Sequence, residues 1–309
     1  MCVYYWYILI TAFSPGYITG FFEANYSKNQ LLTGSTGAGI CLEKGVTTTV
    51  DVIPSTKFRL KIFINGILYP NALVSRSVVN QMINKSDCRQ ELIINHFLNV
   101  PILCGYGSSG SSALSLSYAL NESLNLGFTK IEAAQKAHVA EIKCKTGLGT
   151  VLGAYYGGAQ IRSHPGAPGI GKVSPISITN KNTIASFTLG HLPTSNILNN
   201  SKLIKLINIF GRQSLKQLIN NPSSDEFLKL SRKFSLQINF FPSELYRFMK
   251  LADRFDMTCS MNLFGNTIFS ILKNNEINEF YRLFLKSNIS GRLLFSSINH
   301  SGAKIVDSS

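Results

Sequence analysis

The stretch Gly105-Tyr106-Gly107-Ser108-Ser109-Gly110-Ser111-Ser112 sets glycines and serines ahead of a small, leucine-rich run. A glycine bend that opens a helix offers free backbone N–H groups, the positive end of a helix dipole and hydroxyls, which together suit an anion or its metal. The same composition suits an ordinary small-residue helix packed closely on a neighbour. The stretch alone leaves both readings open. Further on, Thr129 with Glu132 three residues later makes a capping box, so residues 130–143 read as a helix carrying His138 and Glu141 on one face. Each has a plain alternative: His138 as a core histidine, Glu141 as the partner of Lys145 at i,i+4, and Arg162 as a solvated charge on a strand. An acid and a histidine sharing a face favour chemistry, because neither belongs in a buried apolar seam.

Two neighbouring patterns fail on context. Residues 105–110 satisfy the dinucleotide fingerprint GxGxxG, but that motif needs a following strand with an acid about twenty residues on, and here the helix leads into another helix. Gly166-Ala167-Pro168-Gly169-Ile170-Gly171-Lys172-Val173 approaches the phosphate loop GxxxxGK[ST], yet Val173 stands where a metal-binding hydroxyl is needed and Pro175 spoils the helix behind it. A structural turn between strands is the better reading.

The elements that must position these residues follow from pattern. Val3 to Phe13 reads as a buried strand, with Ser14-Pro15-Gly16 as a turn and Gly34-Ser35-Thr36-Gly37-Ala38-Gly39 as a second loop. Strand-like Val46 to Val52 follows, then a hairpin in which Asn65-Gly66 joins Phe58–Ile64 to Ile67–Tyr69. Leu92 to Val100 is a further strand, and Ala113 to Leu124 a helix closed by Gly127. A short helix reaches Gly157-Gly158, and Ala159 to Ser163 resumes as strand. The turn-dense 165–171 places a domain boundary near residue 178, giving units 1–178 and 179–309. The second unit carries strand-like Ile184 to Leu189, helices near 201–220, 224–237 and 243–256, a loop Ser260 to Gly265, strand-like Leu293 to Ile298 and a frayed Asp307-Ser308-Ser309.

Composition narrows the function classes. The 309 residues hold 30 Lys+Arg against 16 Asp+Glu, a formal charge of +14, but the bases are spread out and no run of five occurs. Nucleic acid, which wants a basic patch, is therefore not expected as a partner, and small anionic ligands fit the charge as well. Charged residues make up 15% and hydrophobic ones 45%, which excludes intrinsic disorder. Six cysteines without a CxxC pair or zinc spacing read as reduced thiols of a cytoplasmic protein. No charge precedes Glu23, but Ser14-Pro15-Gly16 breaks that run and no basic segment opens it, so neither a membrane span nor a signal peptide is expected.

Taken together, Ser14-Pro15-Gly16, the loop Pro101 to Ser112 and the loop Ser260 to Gly265 resemble, in order and spacing, the three motifs of the GHMP small-molecule kinases. Within that superfamily the detail is similar to the archaeal pantoate kinases. It lies in Ser14-Pro15-Gly16-Tyr17-Ile18-Thr19-Gly20-Phe21-Phe22, residues 34–39, Ala137-His138-Val139-Ala140-Glu141, Thr146-Gly147-Leu148-Gly149, Gly157-Gly158 with Arg162, and Pro165-Gly166-Ala167-Pro168-Gly169. The resemblance implies an α+β GHMP kinase fold, with an N-terminal ribosomal-S5-like domain, a C-terminal ferredoxin-like domain and the active site between them. It implies transfer of the ATP γ-phosphoryl group to the 4-hydroxyl of pantoate, on an archaeal route to coenzyme A. Gly105, Gly107, Ser108, Ser109, Gly110, Ser111 and Ser112 would wrap the ATP phosphates, Ser109 or Ser111 and Glu141 would hold Mg²⁺, and Ser35, His138, Arg162 and Thr194 would bind pantoate. A homodimer is compatible with the family, although no stripe in the sequence marks an interface.

Two positions depart from that family. Thr150 stands where an Asp, the expected catalytic base, is common, and Tyr17 where the first motif commonly has His or Lys. A base contributes about 10²–10⁴-fold, while phosphoryl transfer depends mostly on positioning and electrostatics. Glu141, Ser109 and Thr150 are therefore the expected catalytic residues, with Thr150 orienting the attacking hydroxyl. The departures also fit a protein that binds ATP or a coenzyme A pathway metabolite without turnover. A kinase for another small hydroxy compound is the third reading.

Overall fold

The computed structural model describes residues 9–84, 86, 88–190, 200–263 and 265–306. Residues 3–8 of the expected first strand, Cys2, Thr194, Phe264 and Asp307-Ser308-Ser309 lie outside them. The frame is a sheet built on one long hairpin, β1 (Ile10–Asn25) against β2 (Gly34–Pro54). The expected turn at Ser14-Pro15-Gly16 and loop at 34–39 are strand instead. Pairing across the hairpin overrides the local turn preference, and a register shift between Pro15 and Gly16 accommodates the proline. The alternating burial of residues 46–50 continues β2 as expected.

β5 (Gln90–Leu98) pairs antiparallel to β2 and parallel to β3 (Arg59–Ile64), which turns through Asn65-Gly66 into β4 (Ile67–Leu68). Both turn residues have positive φ, 49° and 80°, as the Asn-Gly signal requires. β6 (Ala159–His164) pairs with the glycine-rich start of β2, and β7 (Lys172–Pro175) with β6, so residues 165–171 are a turn between strands. On one face lie α1 (Leu73–Met82), α2 (Ser108–Ser123), α3 (Lys130–Cys144) and α4 (Thr150–Tyr156). Ala113 and Ala119 of α2 share a buried core with Ala133, Ala134, Ala137 and Ala140 of α3, so the small-residue packing reading holds as well. The capping box closes as expected: Glu132 N donates to Thr129 Oγ1 at 3.3 Å and Thr129 N to Glu132 Oε2 at 2.8 Å.

The second sheet is antiparallel, formed by β8 (Thr183–Gly190), β9 (Ser260–Asn262), β10 (Asn266–Leu272) and β11 (Arg292–Ser296) in the order β11-β8-β10-β9. Helices α5 (Ser201–Asn220) and α6 (Ser224–Ile238) share a core with β1 and β2, while α7 (Ser243–Asp253) and α8 (Ile277–Lys286) pack with this second sheet. The boundary proposed near residue 178 falls between β7 and β8. The chain then returns: β12 (Lys304–Val306) pairs with β1. Beyond the expected elements stand α1 and α8, two short helices of ten residues each, and strand β10, and the expected loop at 260–265 opens as strand β9.

Candidate functional site

Helix α2 starts at Ser108, five residues before its expected start, because Gly107 adopts a left-handed conformation at φ 63° and turns the chain straight into the helix. The serines therefore occupy its first turn and following residues, where the leading N–H groups have no intrahelical acceptor. A 100° advance per residue then separates the hydroxyls. Ser109 donates to Glu141 Oε1 at 2.8 Å. Ser111 points the other way, donating to the Pro15 carbonyl at 2.7 Å in a fully buried setting. Ser111 is thus an anchor between α2 and β1, and the expectation that it shares a metal is corrected by this geometry.

Glu141 is 2% exposed, on the face of α3 toward α2. Its carboxylate meets the hydroxyls of Ser109 and Thr146, the latter at 3.5 Å. Burial pushes its pKa up to about 7, and the two hydroxyls offset part of that rise. A Cβ added to Gly147 would lie 2.5 Å from Glu141 Oε1, so only glycine leaves room for the carboxylate there. No ion pair joins Glu141 to Lys145 among the described residues. Lys145 itself turns left-handed at φ 54° to end α3.

In front of these groups opens a cleft of about 260 Å³. The residues expected at the site that line it are Ser35, Gly105, Gly107, Ser108, Ser109, Thr150 and Arg162. Arg162 is 1% exposed, on β6, and no carboxylate pairs with it among the described residues. Its Nη1 donates to the Tyr17 hydroxyl and its Nε–H finds no acceptor. It is not a surface charge. Burial raises the Tyr17 phenol above its ordinary range, so it stays protonated despite the guanidinium beside it.

His138 stands behind the cleft rather than in it. Its Nε2 lies 2.9 Å from the Thr33 carbonyl, and burial lowers its pKa. It holds the strand entry that carries Ser35, two residues on.

Other residues also line the cleft: Thr19, Phe22, Leu103, Thr146 and Leu148, which the sequence motifs include without assigning a role, and Leu73 and Cys144, which lie outside those motifs. Asn262 of β9 does more. Its Oδ1 accepts from Thr19 N at 3.1 Å and its Nδ2 donates to the Gly105 carbonyl at 3.0 Å, tying the second sheet to the glycine bend. Beside it, Thr267 donates to the Cys104 carbonyl at 2.8 Å, and the Tyr106 hydroxyl meets Ser186 at 2.8 Å and Thr188 at 2.9 Å. A buried asparagine inside the third motif was the available signal.

Among the described residues no group of three or more His, Cys, Asp or Glu gathers as a metal cage, and no helix is long and apolar enough to cross a membrane. The described cysteines, Cys41, Cys88, Cys104, Cys144 and Cys259, are free.

The model of the GHMP kinases N terminal domain matches residues 73–158. A pantoate kinase of Methanocaldococcus jannaschii is 33% identical over 270 residues, covering 86% of this chain and 94% of that one. A pantoate kinase of Thermococcus kodakarensis is 30% identical over 286 residues, covering 91% and 94%. Among solved structures, a phosphotransferase related to the CoA biosynthesis pathway superposes with a TM-score of 0.89 at 28% identity, covering 97% of this chain and 99% of that one.

Proposed function

The chain belongs to the pantoate kinase family, and from that premise we propose that it transfers the γ-phosphoryl group of ATP to the 4-hydroxyl of pantoate, giving 4-phosphopantoate for coenzyme A biosynthesis. The observation that carries the reading is Arg162: a buried guanidinium facing the cleft with an unpaired Nε–H and, among the described residues, no acid partner. Leaving such a charge unmatched is costly unless a ligand anion completes it. A carboxylate suits it best, since two parallel N–H donors match two oxygens. Ser35 lies beside the guanidinium, its Oγ only 2.4 Å from where a Cβ on Gly149 would sit, and supplies a hydroxyl to the substrate.

Across the cleft, the first turn of α2 would receive the nucleotide phosphates on its free N–H groups. Among the described residues Glu141 meets hydroxyls and no cationic side chain, so a hard divalent cation fits its uncompensated carboxylate. Ser109 and Glu141 would hold Mg²⁺, which when bound neutralises charge on the phosphate oxygens. The new bond joins the pantoate oxygen to the γ-phosphorus as the bond to ADP breaks. Thr150 orients the attacking hydroxyl; its proton leaves to solvent or a phosphoryl oxygen, because position 150 offers no carboxylate. A reduced cysteine set fits a cytoplasmic enzyme.

The test is ADP release with Mg·ATP and, in turn, pantoate, mevalonate, homoserine and galactose. Turnover with pantoate alone is expected. Tight ATP binding without ADP above background would point to a non-catalytic binder, the reading that Thr150 favours.

A further inference from the structure

Tyr17 departs from the residue type common in its motif, yet the structure builds a slot for it. Its ring is 1% exposed and lies between two backbones. A Cβ on Gly39 would come within 2.5 Å of its Cε1, and one on Gly153 within 2.4 Å of its Cε2. Gly39 belongs to β2 and Gly153 to α4, the helix that begins at Thr150. The slot therefore fixes the ring from both sides.

The fixed ring ends at Arg162. The Tyr17 hydroxyl accepts from Nη1, and the guanidinium carbon lies 5.2 Å from the ring centroid. Among the described residues Arg162 has no carboxylate of its own to set its orientation. Tyr17 takes that place at one corner of the guanidinium and leaves the Nε–H unpaired. Tyr17 itself is buried behind the residues that line the cleft.

We propose that Tyr17 is a positioning residue that aims the Arg162 guanidinium at the substrate carboxylate and so sets acceptor affinity without taking part in phosphoryl transfer. This rests on the assignment of Arg162 to the pantoate carboxylate. A phenol serves here because it accepts a hydrogen bond while remaining neutral. A carboxylate would pair with Arg162 outright and compete with the substrate.

Tyr17→Phe keeps the ring and removes only the acceptor. The expected result is a rise of about tenfold in the KM and calorimetric Kd for pantoate, matching loss of one hydrogen bond to a charged group. The KM for ATP and kcat should stay within about twofold. A fall in kcat at constant pantoate KM, or no change at all, overturns the proposal. In an Arg162→Lys background, Tyr17→Phe should add nothing further, since the two act as one unit; additive effects also overturn it. Should Tyr17→Phe fail to fold, Tyr17→His keeps a ring with an acceptor nitrogen. It is expected to hold pantoate KM within about threefold of the parent protein, and a loss as large as that of Arg162→Ala overturns the proposal. Arg162→Ala separates the two ideas. If it binds pantoate normally, the carboxylate assignment fails; if it loses pantoate while Tyr17→Phe is silent, only the role of Tyr17 fails.

Discussion

Ser109 and Glu141, thirty-two residues apart in sequence, meet at 2.8 Å across the seam between α2 and α3. The contact places a hydroxyl and a buried carboxyl side by side, with Ser109 on the lining of the cleft. Glu141→Gln keeps the shape and the hydrogen bond but removes the charge. The kcat for ADP release should fall at least ~10²-fold, while the melting temperature holds or rises, because a costly buried acid is gone. Undiminished turnover would remove Glu141 from the chemistry.

Thr150 lies against the glycine bend, its Cγ2 within 2.5 Å of where a Cβ on Gly107 would sit. Thr150→Asp restores a carboxylate at that point. A base is worth roughly 10²–10⁴-fold at best, so a rise in kcat of about tenfold or more is expected under saturating substrates. A flat kcat would mean that the position orients the hydroxyl and that proton removal limits nothing.

Asn262 holds both Thr19 N and the Gly105 carbonyl. Asn262→Ala leaves two backbone groups without partners, at a cost of about 1–3 kcal/mol, and loosens the bend proposed for the nucleotide phosphates. The expected signature is an ATP KM raised about 5- to 30-fold with the pantoate KM little changed, measured by steady-state titration of each substrate.

A separate prediction concerns acid stability. His96 is fully buried, with Nδ1 2.8 Å from Thr48 Oγ1 and Nε2 3.0 Å from Ser75 Oγ, and burial lowers its pKa from 6.5 to about 4. Below pH 6.5 the unfolded chain takes up a proton that the folded one refuses. The contribution is whole above that pH and drains away as pH falls toward 4, at about 1.4 kcal/mol per unit and about 3 kcal/mol in all. Urea unfolding at pH 7 and 4.5 should show the loss in the parent protein and a smaller one in His96→Gln. Equal losses would show that another group dominates.

What the sequence made legible was local. The Asn65-Gly66 turn and the Thr129/Glu132 box need only neighbours a few residues away, and both appear where expected. Ser14-Pro15-Gly16 and residues 34–39 did not, because their conformation is decided by a partner strand across a long hairpin, where pairing outweighs turn preference. The site was legible as a set of residue types and not as a set of directions. Ser109 and Ser111 look interchangeable in the sequence. Only the early start of α2 turns one toward Glu141 and the other toward Pro15. His138 and Arg162 were expected together, yet one supports the strand entry and the other faces the cleft. Asn262 acts through contacts about 157 and 243 residues away, distances over which no local pattern speaks.

The pairing of β12 with β1 joins Thr11 to Val306, positions roughly three hundred residues apart. Such distant closure makes for slow assembly. During synthesis, the strand that carries the first motif must wait with one flank bare until residues 304–306 have emerged. Phosphoryl transfer competence should therefore arrive late and all at once, and a nascent chain stalled before Lys304 should be prone to capture by chaperones.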